Sequence, residues 1–193
     1  MKKQLYLILA VILFTTQESR TQENNSVEKS MYGVQAGFLG FWAHNEARLK
    51  RNLSLRSEVG FDTGIFSSNA DYSGTDVGVI FTPTISLEPR LYYNLDKRVK
   101  KGKNISKNSG NFVSIKLNYR PDWFTLSNVD NTTIADNIAI IPKWAIRRTH
   151  WDHLTYELGA GIGYRKYFLK QYGYKDNPGE IALDLHIRLG YTF

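Results

Sequence analysis

A length of 193 residues allows one domain, and the absence of cysteine excludes disulfides, thiolate metal sites and a cysteine-borne lipid anchor. The net charge of +7 suits a nucleic-acid binder, but residues 96–107, "DKRVKKGKNISK", hold six basic residues against one acid. Without that segment and the N-terminal one the chain is nearly balanced, which argues against a nucleic-acid partner and for a local contact with anionic lipid or glycan phosphate.

Lys2 and Lys3 precede an apolar run from Leu5 to Phe14, and the polar stretch "TTQESRTQENNS" follows. That is the layout of a secretory signal, with a core too short to span a bilayer. Residues 1–22 are therefore expected to be a signal peptide, cut between Gln17 and Glu23. A short N-terminal segment at 23–30 and one domain at 31–193 complete the chain. No later stretch is apolar for long enough to form a transmembrane helix, so any insertion must use strands.

The mature chain alternates between apolar and polar residues and has no helical period. Residues 32–38 and 41–49 come first, and their apolar parity slips between Phe38 and Phe41, as a tight turn or a bulge would cause. Residues 53–66 set Leu53, Leu55, Val59 and Phe61 against Arg56, Glu58 and Asp62. Residues 77–94 set Ile85, Leu87 and Leu91 against Ser86, Glu88 and Arg90, with Pro83 and Pro89 each deleting a ladder donor, which predicts a bulge or an irregular edge. Residues 111–124 oppose Val113, Ile115 and Leu117 to Lys116 and Arg120; residues 138–149 oppose Ile140 and Trp144 to Lys143 and Arg147. Residues 154–167 oppose Leu158 and Ile162 to Glu157, and "IALDLHIRLGYTF" closes the chain with Leu183, Leu185 and Ile187 against Asp184, His186 and Arg188.

Alternation alone fits both a soluble lipocalin-like barrel and an inside-out membrane barrel. The polar face decides. Its glycines and charges of both signs suit the narrow interior of an eight-stranded barrel, where Arg56, Glu58, Glu88, Arg90, Lys116, Arg120, Arg147, Glu157, Asp184 and Arg188 can pair, while the apolar face meets lipid. Aromatic residues gather near strand ends, with Tyr92, Tyr93, Trp151, Tyr191 and Phe193 at one rim and Tyr72, Trp123, Phe124, Tyr167 and Phe168 near the other. Such girdles mark the two interfaces. The expected fold is an all-β, antiparallel, up-and-down transmembrane barrel of eight strands.

The signal-like start, the segments "LEPRLYYNLDKR" and "GNFVSIKLNYRPDW", and an alternating last strand closed by Phe resemble the small outer-membrane β-barrel proteins of Gram-negative bacteria. The resemblance implies an outer-membrane location with both chain ends in the periplasm, contact with membrane lipids and lipopolysaccharide, and no cofactor. It also implies that the barrel-assembly machinery reads Phe193, with Tyr191 and Leu189 in support. The basic connection after Asn94 becomes a periplasmic turn, solvated or in contact with inner-leaflet phosphates, and the loops starting at Ser67, Ser127 and Gln171 face outside.

Candidate chemistry is thin. "HWDH" at 150–153 offers two imidazoles and a carboxylate without a convincing zinc spacing, so no metal site is assigned. His44 and His186 project inward with Ser54 and Ser86 nearby, which leaves a lipid-modifying hydrolase as an alternative to an internal polar network. "GAGIG" at 159–163 lacks the spacing of a phosphate loop and reads as relief for large neighbours in a crowded interior. Charges of both signs at similar heights favour a neutralised, filled interior over a conducting channel. The expectation is a monomeric, non-catalytic barrel acting in envelope structure or in surface contact through its external loops, with a narrow transport channel or a soluble periplasmic ligand-binding barrel as further alternatives.

Overall fold

The computed structural model describes residues 25–68, 76–129, 132 and 134–193. The expected signal peptide and Tyr72 lie outside the described residues. The strands are β1 (Ser30–Gly37), β2 (Gly40–Lys50), β3 (Leu53–Ser68), β4 (Asp76–Tyr92), β5 (Asn111–Arg120), the two-residue β6 (Leu126–Ser127), β7 (Asn137–His150), β8 (Leu154–Tyr167) and β9 (Gly179–Thr192). Every pairing is antiparallel. Each long strand pairs with the next long strand in sequence, and β9 pairs with β1, so eight strands close on themselves in a ring-like sheet. Closure leaves each long strand a neighbour on both sides over part of its length, and the backbone is paired within the sheet there.

The parity slip near residue 39 is a hairpin: Phe38 and Leu39 form the turn and Gly37 faces Gly40. Gly40 has φ 140°, and a Cβ there would stand 2.0 Å from the Phe61 carbonyl oxygen, so both conformation and space require glycine. The bulge lies between Arg48 and Lys50 of β2. Pro83 and Pro89 bring no register shift to the β3–β4 ladder. Pro89 instead falls where the β4–β5 ladder is interrupted between Leu87 and Arg90, and Pro142 where the β7–β8 ladder is interrupted between Ile140 and Lys143. An interrupted ladder absorbs the missing N–H without displacing the strand.

β5 stops at Arg120 rather than at 124, because Pro121 follows and the chain leaves the sheet. Trp123 and Phe124 are exposed on the connection that leads to β6. β6 pairs with Ile80 and Phe81 and takes up the edge of β4 beyond the reach of β5.

The basic connection is more than a turn. It folds into helix α1 (Leu95–Lys100) and a 3-10 turn at Ser106–Asn108. Leu95 and Ile105 pack with Val27, Tyr92, Phe112 and Ala145 in the larger buried apolar cluster, which closes the end of the ring where Ser30 begins β1 and Thr192 ends β9. Lys97, Lys100, Lys101 and Lys103 stay exposed, so the solvated description holds for these lysines and fails for Leu95 and Ile105. Tyr92 also departs from the expected rim: it shares the inward parity of Arg90, is 1% exposed and belongs to this seal.

Candidate functional site

The strands divide their residues by face. Val59, Leu87, Ile115, Ile140, Leu158 and Leu185 are exposed on the outside, whereas Arg56, Arg90, Arg147 and Glu157 are among the most deeply buried side chains of the molecule. Period-two geometry makes this inversion available to any closed sheet, since alternate side chains must point into the ring.

Glu157 of β8 is the hub. It accepts hydrogen bonds from Arg147 at 2.9 Å, Arg56 at 3.1 Å, Arg90 at 3.2 Å and Gln35 at 3.1 Å, and it lies 2.6 Å from His186 Nε2. Glu46 of β2 forms a second centre nearer the sealed end, receiving Ser54 at 2.7 Å, Tyr92 at 3.0 Å and Asn108 of the 3-10 turn at 2.7 Å. Arg90 and Arg147 also reach Glu46, at 3.4 and 3.3 Å, which joins the two centres. Toward the other end Glu58 accepts from Arg56 at 2.6 Å and Arg188 at 2.7 Å, and Glu88 accepts from Arg90 at 2.9 Å, Ser114 at 2.6 Å and Lys143 at 2.8 Å. Asp62 closes the series, taking Trp42 at 2.9 Å and Arg120 at 2.8 Å. Arg90 stacks over Phe112 at 4.4 Å and Arg188 over Trp42 at 3.5 Å, so guanidinium faces are covered as well as edges.

All ten residues expected in the interior network lie inside the ring. Arg56, Glu58, Glu88, Arg90, Arg147, Glu157 and Arg188 hydrogen-bond within it; Lys116 and Asp184 face each other at 3.7 Å; Arg120 is partly open. Glu46, Gln35 and Asn108 are further members that the alternation did not single out. Glu46 and Gln35 stand on the two short strands whose parity slipped, and Asn108 comes from the basic connection. Lys143 and Asp62, both on expected polar faces, complete the pairing.

The interior histidines have separate surroundings. His186 sits between Glu157 and Lys143, whose Nζ is 3.3 Å from Nδ1. His44 is buried with neither ring nitrogen hydrogen-bonded among the described residues, beneath Gly33, where a Cβ would meet the imidazole at 2.6 Å. Ser54 donates to Glu46, and Ser86 lies 3.5 Å from Glu58, so each serine faces a carboxylate rather than a histidine. At the turn after β7, His153 Nδ1 lies 2.8 Å from the Thr192 carbonyl oxygen and its ring stacks on Tyr191, while His150 stacks on Tyr156. Trp151 and Asp152 adopt positive φ in that turn. The glycines of "GAGIG" face inward, yet what they admit is the neighbouring strand: a Cβ on Gly163 would stand 2.0 Å from the Ile140 carbonyl oxygen and one on Gly159 2.4 Å from Ala145 Cβ. Gly161 does relieve side chains, since a Cβ there would stand 2.8 Å from Ile141 Cγ2 and 3.1 Å from Lys143 Cβ, while Gly159 and Gly163 chiefly allow close approach of β7 to β8.

Tyr191 and Phe193 lie outside the ring at the sealed end, edge to face at 5.1 Å. On the same rim Trp144 donates its indole N–H to the Tyr93 hydroxyl at 2.8 Å. No family model, no curated protein and no solved structure matches this chain.

Proposed function

We propose that the protein is an integral outer-membrane β-barrel with a filled, polar interior, acting in envelope structure or in surface contact through the loops at the unsealed end. The observation that carries this reading is the inverted distribution of polarity. Ile181, Leu183, Leu185, Ile187 and Leu189 follow one another along the outside of β9, each between 59% and 71% exposed, while fully buried arginines and glutamates fill the inside. A water-soluble ring hides its bulky apolar side chains, and soluble monomers rarely expose contiguous apolar patches beyond a few hundred Å². In hydrocarbon the same face is favourable, and closure of β9 on β1 pairs the backbone at the seam. Tyr93, Trp144, Tyr191 and Phe193 provide an interfacial belt at the sealed end.

The interior supports a structural over a conducting role. Arg56, Arg90, Arg147 and Arg188 each pair with a glutamate, and the cluster around Leu95 and Phe112 blocks one end. Membrane fractionation with a heat-shift gel tests the proposal. The mature protein is expected in the detergent-soluble envelope fraction, with a mobility that changes on boiling. Recovery as a freely soluble protein of unchanged mobility would overturn the reading. Planar-bilayer recording is expected to give no discrete conductance.

A further inference from the structure

The wall of the ring is uneven. β1 and β2 turn early, so the last pair of β1 with β9 is Gly37 with Arg188, and the last pair of β2 with β3 is Gly40 with Asp62. Beyond that level β3 continues to Ser68 paired with β4, and β9 runs back from Ile187 to Gly179 paired with β8. Among the described residues no ladder joins β3 to β9. The wall above the β1–β2 hairpin therefore has a notch, with Leu39 at its sill and two strand edges as its sides. Six residues of β3, from Thr63 to Ser68, make that side about 20 Å tall.

The notch leads into a cleft of about 70 Å³, which runs from Leu39 and Thr63 on one side and Leu183 and Ile187 on the other to Lys116 and Asp184 within. Its charged groups are unequally satisfied. Asp62 holds Arg120 at 2.7 Å, Glu58 holds Arg188 at 2.7 Å and Glu180 holds Arg165 at 3.0 Å. Lys116 is different: among the described residues its ammonium makes one ion pair, with the Asp184 carboxylate at 3.7 Å, and no hydrogen bond. Asp184 is itself shared with Lys143 at 3.8 Å, and its Oδ2 is buried without a hydrogen-bond partner among the described residues.

We propose that the notch is a lateral port for an anionic lipid, whose headgroup passes between β3 and β9 to Lys116 while its acyl chain lies along Leu183, Leu185 and Ile187 outside. Three features converge on that occupant. Lys116, without a hydrogen bond among the described residues, is a cation, so the group it receives is an anion. The approach is flanked by exposed aliphatic side chains of β9, which suits a chain and gives a small free anion nothing to gain. The exposed strand edges carry backbone N–H and C=O groups that are costly to leave bare in hydrocarbon, and a polar headgroup with its water satisfies them. The inference rests on the outer-membrane reading, since the lipid reaches the port sideways from the bilayer.

The mature protein, reconstituted in phosphatidylcholine vesicles and checked by heat shift, is irradiated with palmitate carrying a diazirine next to the carboxylate, and adducts are mapped by peptide mass spectrometry. Adducts are expected inside the cleft, at Asn118 and Ile141. They fall about tenfold in Lys116→Gln, as loss of one charge-assisted hydrogen bond implies, and persist in Lys116→Arg, which shows that the charge rather than the fold is read. Phosphatidylcholine carrying the same group is expected to label the outward residues of β9 alone. Adducts confined to outward residues with both probes, or interior labelling abolished by millimolar acetate, would overturn the port, the second result because a simple anion site then suffices. A protein that inserts and heat-shifts but shows no interior adduct sinks the port and leaves the barrel standing. A protein that stays soluble sinks the barrel itself, and the port with it.

Discussion

Glu157 brings together side chains from five strands: Gln35 of β1, Arg56 of β3, Arg90 of β4, Arg147 of β7 and His186 of β9. Burying several guanidiniums is tolerable only while each has a carboxylate, and removing one partner leaves uncompensated charge in a low-dielectric interior. Glu157→Gln is therefore expected to cost about 3–5 kcal/mol in urea unfolding of the reconstituted protein. The double variant Glu157→Gln, Arg147→Met should recover part of that loss, because one of the stranded charges goes with it; additive losses would contradict the hub. Alternation along β3, β4, β7 and β8 was enough to place Arg56, Arg90, Arg147 and Glu157 on inward faces. It could not make Glu157 the centre, since height around a ring is fixed by register between strands distant in sequence. Arg56 and Glu157, 101 residues apart, meet at 3.1 Å only after β9 has closed on β1.

The connection between β4 and β5 shows how an element can hide behind its composition. Among its lysines stand two apolar residues that become buried, Leu95 and Ile105, and no period links them, so the sequence reads as a solvated turn. Asn108 locks the fold of this segment. It sits at φ 58°, its Nδ2 donates to Glu46 at 2.7 Å, and its Oδ1 accepts the Glu28 N–H at 2.7 Å. Asparagine tolerates the left-handed region better than most residues, so the backbone and side-chain requirements coincide here. Asn108→Ala loses both bonds and strands part of Glu46, and is expected to destabilise the seal by about 2 kcal/mol. Hydrogen exchange should quicken at the amides of Glu28 and Lys107, the latter of which donates to Glu28. The ladder between β7 and β8 should keep its protection; uniform loosening would mean that the segment supports the whole ring rather than its end.

At the scale of the molecule, the seam decides whether the sheet is a ring or an open array. β1 and β9 share a short ladder from Gly33 with Thr192 to Gly37 with Arg188, and the last amide, that of Phe193, donates to the Tyr32 carbonyl at 2.8 Å. Directly opposite residues of an antiparallel pair bring Cβ atoms to about 4.5–5.5 Å, within reach of a modest closure to a disulfide. The chain has no cysteine of its own, so Ala36→Cys with Leu189→Cys, which face each other, should oxidise to one cross-link. The oxidised protein is expected to run as a closed loop on a boiled gel, unlike either single variant. The same seam gives the proposed role of the last residue a physical basis. The C-terminal end of β9 forms the ladder with β1, and Tyr191 and Phe193 stay exposed on the outside of that seam. Deleting Phe193 removes an aromatic contact and the final seam hydrogen bond but no interior charge, whereas Lys116→Gln removes an interior charge and leaves the seam intact. If assembly reads the terminus, the deletion lowers the yield of heat-shifting protein in the outer membrane well below that of Lys116→Gln. Equal yields from the two would assign assembly to the interior network instead.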